Sequence, residues 1–274
     1  MNLNIALYQM HVIDNKKENI KTAKKMINEA SSNAELIILP EMFNCPYENS
    51  KFIEYAENKE NSETLKSISN IAKKCNVNII AGSIPEEENK KIYNTCFVFN
   101  GDGEIIGSHR KMHLFDIDVP NKIRFMESDT LSPGNKFNVI NMGDYNLGIG
   151  ICYDMRFPEL SRLLSLNNAD ILAFPGAFNQ TTGPAHWKLL LRSRALDNQV
   201  YVLACSPSSD EDSSYNAYGH SMIVDPWGTV IAEAESDEEI VYGTLDLDKI
   251  KEIREQIPVL KNRRNDLYTL NKMK

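Results

Sequence analysis

The side chain best placed for covalent chemistry lies in LGIGICYDMRFPEL, residues 147 to 160, where an apolar run with two glycines ends at Cys152 and a helix begins within a few residues. A strand-to-helix elbow of this kind presents a side chain at the edge of a sheet. It also leaves the next backbone N–H, that of Tyr153, free to donate to a developing oxyanion. Read by itself, Cys152 also fits a buried and inert thiol, the commoner state of a free cysteine. A thiol nucleophile needs a base, yet none of His11, His109, His113, His186 and His220 sits in a cysteine-protease signature. His109 and His113, which bracket Lys111 in HRKMHLF, read as hydrogen-bonded structural residues. A carboxylate offers another route: in LIILPEMF an apolar strand delivers Glu41 at its end, where burial would raise its pKa toward that of a general base. A glutamate there can equally face water. Lys111, in the strand run GSHRKMHLF, could be a stabilising cation or a solvated edge residue.

The elements expected to carry these residues follow from periodicity. LNIALYQM opens as a strand, and Asp14 can cap a helix whose Ile20, Ala23, Met26, Ile27 and Ala30 recur at helical spacing. Residues 36 to 39 form a continuous buried-strand run that ends just before Glu41. Ser62 caps an amphipathic helix with Leu65, Ile68, Ile71, Ala72 and Cys75, leading into a strand over 77 to 81. Strands over 93 to 99 and 105 to 113 flank Asn100-Gly101-Asp102-Gly103, a strong hairpin signal. Further on, strands over 147–152, 170–174 and 201–205 alternate with helices over 158–167 and 184–199. A second hairpin joins 221–224 to 230–234 through Asp225-Pro226-Trp227-Gly228, before a strand over 240–245 and a helix from about 248 to 257. No linker composition divides the chain, so residues 1–274 read as one domain. Two α/β blocks with interspersed hairpins suggest two mixed sheets face to face with helices outside; a doubly wound single sheet satisfies the same periodicities.

Glu41, Lys111 and Cys152 end or lie on three different expected strands and have complementary roles. In these segments, LPEMF, HRKMHLF and GICYDMRFPEL, the chain resembles the nitrilase superfamily, also called the carbon-nitrogen hydrolases. The resemblance implies a four-layer α-β-β-α sandwich and a Glu-Lys-Cys triad: Glu41 as general base, Lys111 as electrostatic stabiliser, Cys152 as nucleophile. It adds Glu127 of FMESDT as a second carboxylate, and an oxyanion hole from Lys111 and the Tyr153 N–H. NCPYEN, HLFDIDVP, FPGAFNQTTGPAHW and YGHSMIVDPWG look like the omega-amidase branch, which hydrolyses 2-oxoglutaramate and 2-oxosuccinamate through a cysteine thioester. Deaminated-glutathione amidases share the triad and GPAHW, so that substrate, an N-carbamoyl amine, or acyl transfer to an amine stand as alternatives. The branch usually has a glycine near Asn121, which this chain lacks. For a substrate with a far carboxylate, Arg156 can supply a bidentate clamp, although it also suits a helix-start ion pair. Similarity places Tyr47, Phe178 and Thr182 around the substrate; without it, the first two read as core packing and Thr182 as a helix cap. His186 and Trp187 read as packing or subunit-bridging residues. A homodimer is implied by resemblance alone.

Composition narrows the rest. A formal net charge of -8, with no basic stripe, argues against nucleic acid as a partner. The N-terminus lacks a signal-peptide pattern, and no apolar run is long enough to span a bilayer, so no membrane partner and a cytoplasmic location are expected. Five cysteines without CxxC spacing suggest free thiols and no zinc site. The expected chemistry needs neither metal nor organic cofactor, only a small-molecule amide.

Overall fold

In the computed structural model, which describes residues 1–120 and 123–271, the first strand β1 (Asn2–Gln9) leads to helix α1 (Lys16–Ala30). The cap of α1 is Asn15, one residue later than expected, because Asn15 takes the extended conformation from which its side chain accepts the Glu18 N–H. Asp14 instead accepts the Tyr55 hydroxyl at 2.6 Å and pairs with Lys51 at 2.8 Å. β2 (Leu36–Ile38), α2 (Asn49–Tyr55), α3 (Glu63–Cys75), β3 (Asn78–Glu88), β4 (Lys91–Phe99) and β5 (Ile105–Arg110) follow. Ser62 caps α3 as expected, accepting the Leu65 N–H at 2.9 Å. β3 runs well past residue 81, turning into β4 through Asn89 and Lys90, both left-handed.

The chain then forms the hairpin β6 (Asp116–Val119) and β7 (Ile123–Met126), β8 (Val139–Asn141), β9 (Asn146–Ile149), α4 (Pro158–Leu166) and β10 (Ile171–Pro175). Next come α5 (Gly183–Asn198), β11 (Tyr201–Cys205), β12 (Met222–Val224), β13 (Val230–Glu233), β14 (Glu239–Asp246) and α6 (Asp248–Gln256). Asn121, where the chain departs from the branch pattern, lies outside the described residues.

Two six-stranded sheets result, in the orders β14-β1-β2-β3-β4-β5 and β13-β12-β11-β10-β9-β8. Both are mixed. β1, β2 and β3 are mutually parallel, as are β9, β10 and β11, while the flanking pairs are antiparallel. The alternation of strand side chains separates two interiors. Ile5, Leu7, Ile38 and Ile80 join Ile149, Ile171 and Val202 between the sheets. Ala6, Tyr8, Ile37 and Ile79 point the other way, onto Ala23 and Ile27 of α1 and Leu65 and Ile68 of α3. On the far side, α4 and α5 cover the second sheet through Leu160, Leu164 and Leu191. The four-layer sandwich is therefore the observed fold. Tyr8 and Ile38 carbonyls accept the Cys205 thiol at 3.2 and 3.3 Å, a polar stitch across the sheet interface.

Candidate active site

The residues expected to react stand just beyond strand ends. Past β2, the chain turns through Pro40 and Glu41 to Met42, which is left-handed at φ 54°. The Met42 N–H donates to Ser83 Oγ at 3.0 Å. Gly82 makes this approach possible, since a Cβ there would lie 2.0 Å from the Pro40 carbonyl oxygen. Lys111 is the first residue after β5, not within it, and its N–H donates to the Asn94 carbonyl at 2.8 Å. Cys152 follows β9 by three residues and opens a 3-10 turn, Cys152–Arg156. The strand ends at Ile149, earlier than expected, because the elbow requires a left-handed Cys152 at φ 45°. Such a conformation costs a non-glycine residue about 1–3 kcal/mol and is held only by its surroundings.

Glu41, Lys111 and Glu127 meet with fully buried side chains. Lys111 Nζ donates to Glu127 Oε1 at 2.8 Å, Glu41 Oε1 at 3.0 Å and the Tyr47 hydroxyl at 3.2 Å, so each of its three protons has an acceptor. The solvated-edge reading of Lys111 is thereby excluded, as is a water-facing Glu41. Glu41 also accepts from Asn94 Nδ2 at 2.8 Å and from the Ala177 N–H at 2.9 Å. Glu127 takes the Tyr47 hydroxyl at 2.5 Å and the Phe115 N–H at 2.6 Å. Burial works against the Lys111 charge, but Glu127 and Glu41 override it and hold the ammonium's pKa well above that of ordinary lysine. Burial, with the repulsion of Glu127, pushes Glu41 upward despite Lys111. The Cys152 thiol is pushed up, first by burial and then by the charge of nearby Glu41, with Lys111 opposing. The resting pair is thus a protonated thiol beside a carboxylate of raised basicity.

The outer residues gather more loosely. Tyr47 packs against Tyr215 with centroids 4.5 Å apart, and its hydroxyl lies inside the buried charge cluster. Arg156 stays outside that cluster, with its guanidinium 4.6 Å over the Phe178 ring, 5.7 Å from Tyr153, and Nη1 3.1 Å from His186 Nδ1. Its partner is a histidine rather than the carboxylate of a helix-start ion pair. Phe178 also meets Trp187 edge-on at 5.0 Å. Thr182 stands at the cap position of α5 but makes no side-chain cap bond; its N–H and hydroxyl go to Asn179 Oδ1 at 3.0 and 3.2 Å. A cleft reaches Glu41 between Met42, Tyr47, Ala177 and Tyr215. Cys152, Arg156, Phe178 and Thr182 do not line it. Tyr153 opens the 3-10 turn with Cys152, where backbone N–H groups have no partner within the turn.

Three neighbours escaped the sequence reading: Asn94, Tyr215 and Asp154. Asn94 sits on β4 as a buried polar residue in an apolar strand, a signal that was there to be used. Tyr215, whose hydroxyl donates to the Ala177 carbonyl at 2.7 Å, lies in the polar stretch before β12 and carried none. Asp154 is buried and bonded to both His109 and His113, so those histidines are structural residues as expected. Among the described residues no group of three or more His, Cys, Asp or Glu side chains could hold a metal ion, and no helix is long and apolar enough to cross a membrane.

Residues 4–255 match the carbon-nitrogen hydrolase family. Omega-amidase NIT2 of Xenopus tropicalis is 53% identical over 271 residues, spanning 98% of each chain. The human omega-amidase NIT2 is 50% identical over the same length and share. The crystal structure of Saccharomyces cerevisiae Nit3, of branch 10 of the nitrilase superfamily, superposes with a TM-score of 0.88 at 43% identity, covering 96% of this chain and 97% of that one.

Proposed function

The chain belongs to the carbon-nitrogen hydrolase family, and from that premise we propose that it is a cysteine amidase that removes ammonia from the omega-amide of 2-oxo dicarboxylic acid monoamides, such as 2-oxoglutaramate and 2-oxosuccinamate. The observation that carries this reading is the buried Lys111 ammonium held between Glu41 and Glu127 beside the Cys152 thiol. Glu41 takes the thiol proton as sulfur attacks the amide carbonyl, since a thiol of ordinary pKa about 8.5 is mostly protonated at neutral pH. The oxyanion is met by Lys111 and the Tyr153 N–H, each donor contributing on the order of 3 kcal/mol. Collapse breaks the carbon–nitrogen bond while Glu41 returns its proton to departing ammonia. Water, deprotonated by Glu41, then cleaves the thioester and frees the acid and the thiol. Glu127 fixes Lys111, accepting one of its protons at 2.8 Å.

Selection of the substrate belongs to the rim. Arg156 receives the far carboxylate over the face of Phe178, with Tyr47 on the wall of the cleft and Thr182 outside it. The whole chain acts as one domain in this reading, because both sheets contribute to the site. Cytosolic residence and a homodimer are part of the same proposal. Leu189 and Leu196 of α5, 65% and 54% exposed, offer apolar surface that a second copy could cover.

Ammonia release from 2-oxoglutaramate, glutamine, deaminated glutathione and an N-carbamoyl amine tests the assignment. The 2-oxo acid amide is expected to be preferred at least tenfold in kcat/KM, about 1.4 kcal/mol of transition-state discrimination. Equal turnover of all four would end the omega-amidase reading.

A further inference from the structure

We propose that Asp154 is a positioning residue that sets where Lys111 and Cys152 stand relative to one another, a role that rests on the thioester reading above. Its carboxylate is fully buried and lies where the two sheets deliver their site residues. Oδ2 accepts the Ile151 N–H at 2.9 Å, immediately before Cys152, and faces His109 Nε2 at 2.9 Å. Oδ1 accepts the Met112 and His113 N–H groups at 3.2 and 2.9 Å, immediately after Lys111, and faces His113 Nδ1 at 2.7 Å. One oxygen thus holds the chain leaving Lys111 on the first sheet. The other holds the left-handed elbow that presents Cys152 on the second.

A buried carboxylate with this many donors stays ionised. Burial alone would raise its pKa, but the bonds from His109 and His113 and the Ile151 N–H reverse the sign and hold it well below the usual range. His113 is clamped in turn, its ring stacked 3.7 Å from Phe157 at the far end of the same turn. The carboxylate touches no substrate atom in the proposed reaction and acts through the two chain segments it joins.

The test compares Asp154→Asn, His113→Phe and His113→Asn with the parent, with kcat expressed per folded chain as measured by circular dichroism, because the five free thiols of an unfolded chain would all alkylate. In Asp154→Asn, an amide group replaces one acceptor with a donor facing a donor. A misplacement of about 1 Å between catalytic groups can cost roughly a hundredfold, so kcat is expected to fall by about that factor with KM within about threefold. The acid limb of kcat/KM moves upward as Lys111 withdraws from Glu41, which a merely destabilised fold would not cause. His113→Phe keeps the stack on Phe157 and loses one donor, for about a tenfold loss, while His113→Asn retains a donor and restores kcat to within about threefold. Unchanged kcat per folded chain and an unmoved acid limb in Asp154→Asn, or in His113→Phe if the first does not fold, would overturn the assignment. Activity surviving in Cys152→Ala would instead sink the thioester reading itself, so the two failures are separable.

Discussion

Lys111 and Arg156 are both cations proposed to meet substrate, and the protein holds them in opposite ways. Lys111 has no exposed surface and all three of its protons are committed, to Glu41, Glu127 and Tyr47. Arg156 is half-buried, lies on aromatic faces and engages one of its nitrogens with His186. Burial and then the Arg156 charge hold the His186 pKa down, so its imidazole is neutral and can accept from the guanidinium. A saturated cation can only stabilise what arises in its fixed position, whereas an unsaturated one can still bind an incoming anion. In the proposed reading, reaction and selection are divided between two regions that should respond differently to mutation.

The buried cluster is where the comparison can be broken most decisively. Lys111→Met leaves Glu41 and Glu127 facing each other without a cation. Removing one member of a buried ion network typically costs about 3–5 kcal/mol, and an oxyanion donor is lost as well. Thermal denaturation should show the destabilisation, and kcat should fall at least about a thousandfold for every amide tested. A stable, half-active Lys111→Met would mean that the cluster is structural decoration.

Glu41→Gln separates charge from shape. Loss of a general base should reduce kcat about 10²- to 10⁴-fold, with the fold kept. The sign follows from the raised pKa: the neutral acid stabilises the folded state at low pH, and that contribution is lost as pH rises through the raised value. An amide, neutral at every pH, keeps it. In the parent, kcat/KM should therefore decline on acidification through an apparent value above the ordinary 4.5 of glutamate, a property of the coupled cluster. A pH profile flat down to 4 would remove Glu41 from the role of base.

How much of this was legible in the sequence follows the same division. Strands and helices with clean periods came through; Cys152 and Glu41 stood out after apolar runs but also fitted inert or solvated readings, as did Lys111 in its strand, and it was the family resemblance that joined the three. Burial of Lys111 was not legible, since its partners lie 70 and 16 residues away and a strand-end lysine usually reaches water. The hairpin of β6 and β7 lacks an Asn-Gly or Asp-Gly turn, and the seven-residue α2 is too short to show a period. Asp154 was hidden for another reason: an acid in a polar-looking turn gives no local sign that two histidines more than forty residues upstream will find it. Family resemblance supplied what periodicity could not, including Glu127, whose proximity to Lys111 no spacing rule would give.

The rim gives the smallest and most selective effect. Arg156→Lys keeps the positive charge but loses the planar fork and the stacking on Phe178. Amides bearing a far carboxylate should lose about 10- to 100-fold in kcat/KM, some 1.4–3 kcal/mol, because a point charge cannot make the paired hydrogen bonds. Simple amides, which present nothing to that position, should change by less than about threefold. The loss should lie mainly in KM if Arg156 only binds, because uniform binding energy does not lower the chemical barrier. Equal losses on both substrate classes would show that Arg156 supports the Cys152 elbow rather than the substrate, and would join the two regions that the geometry keeps apart.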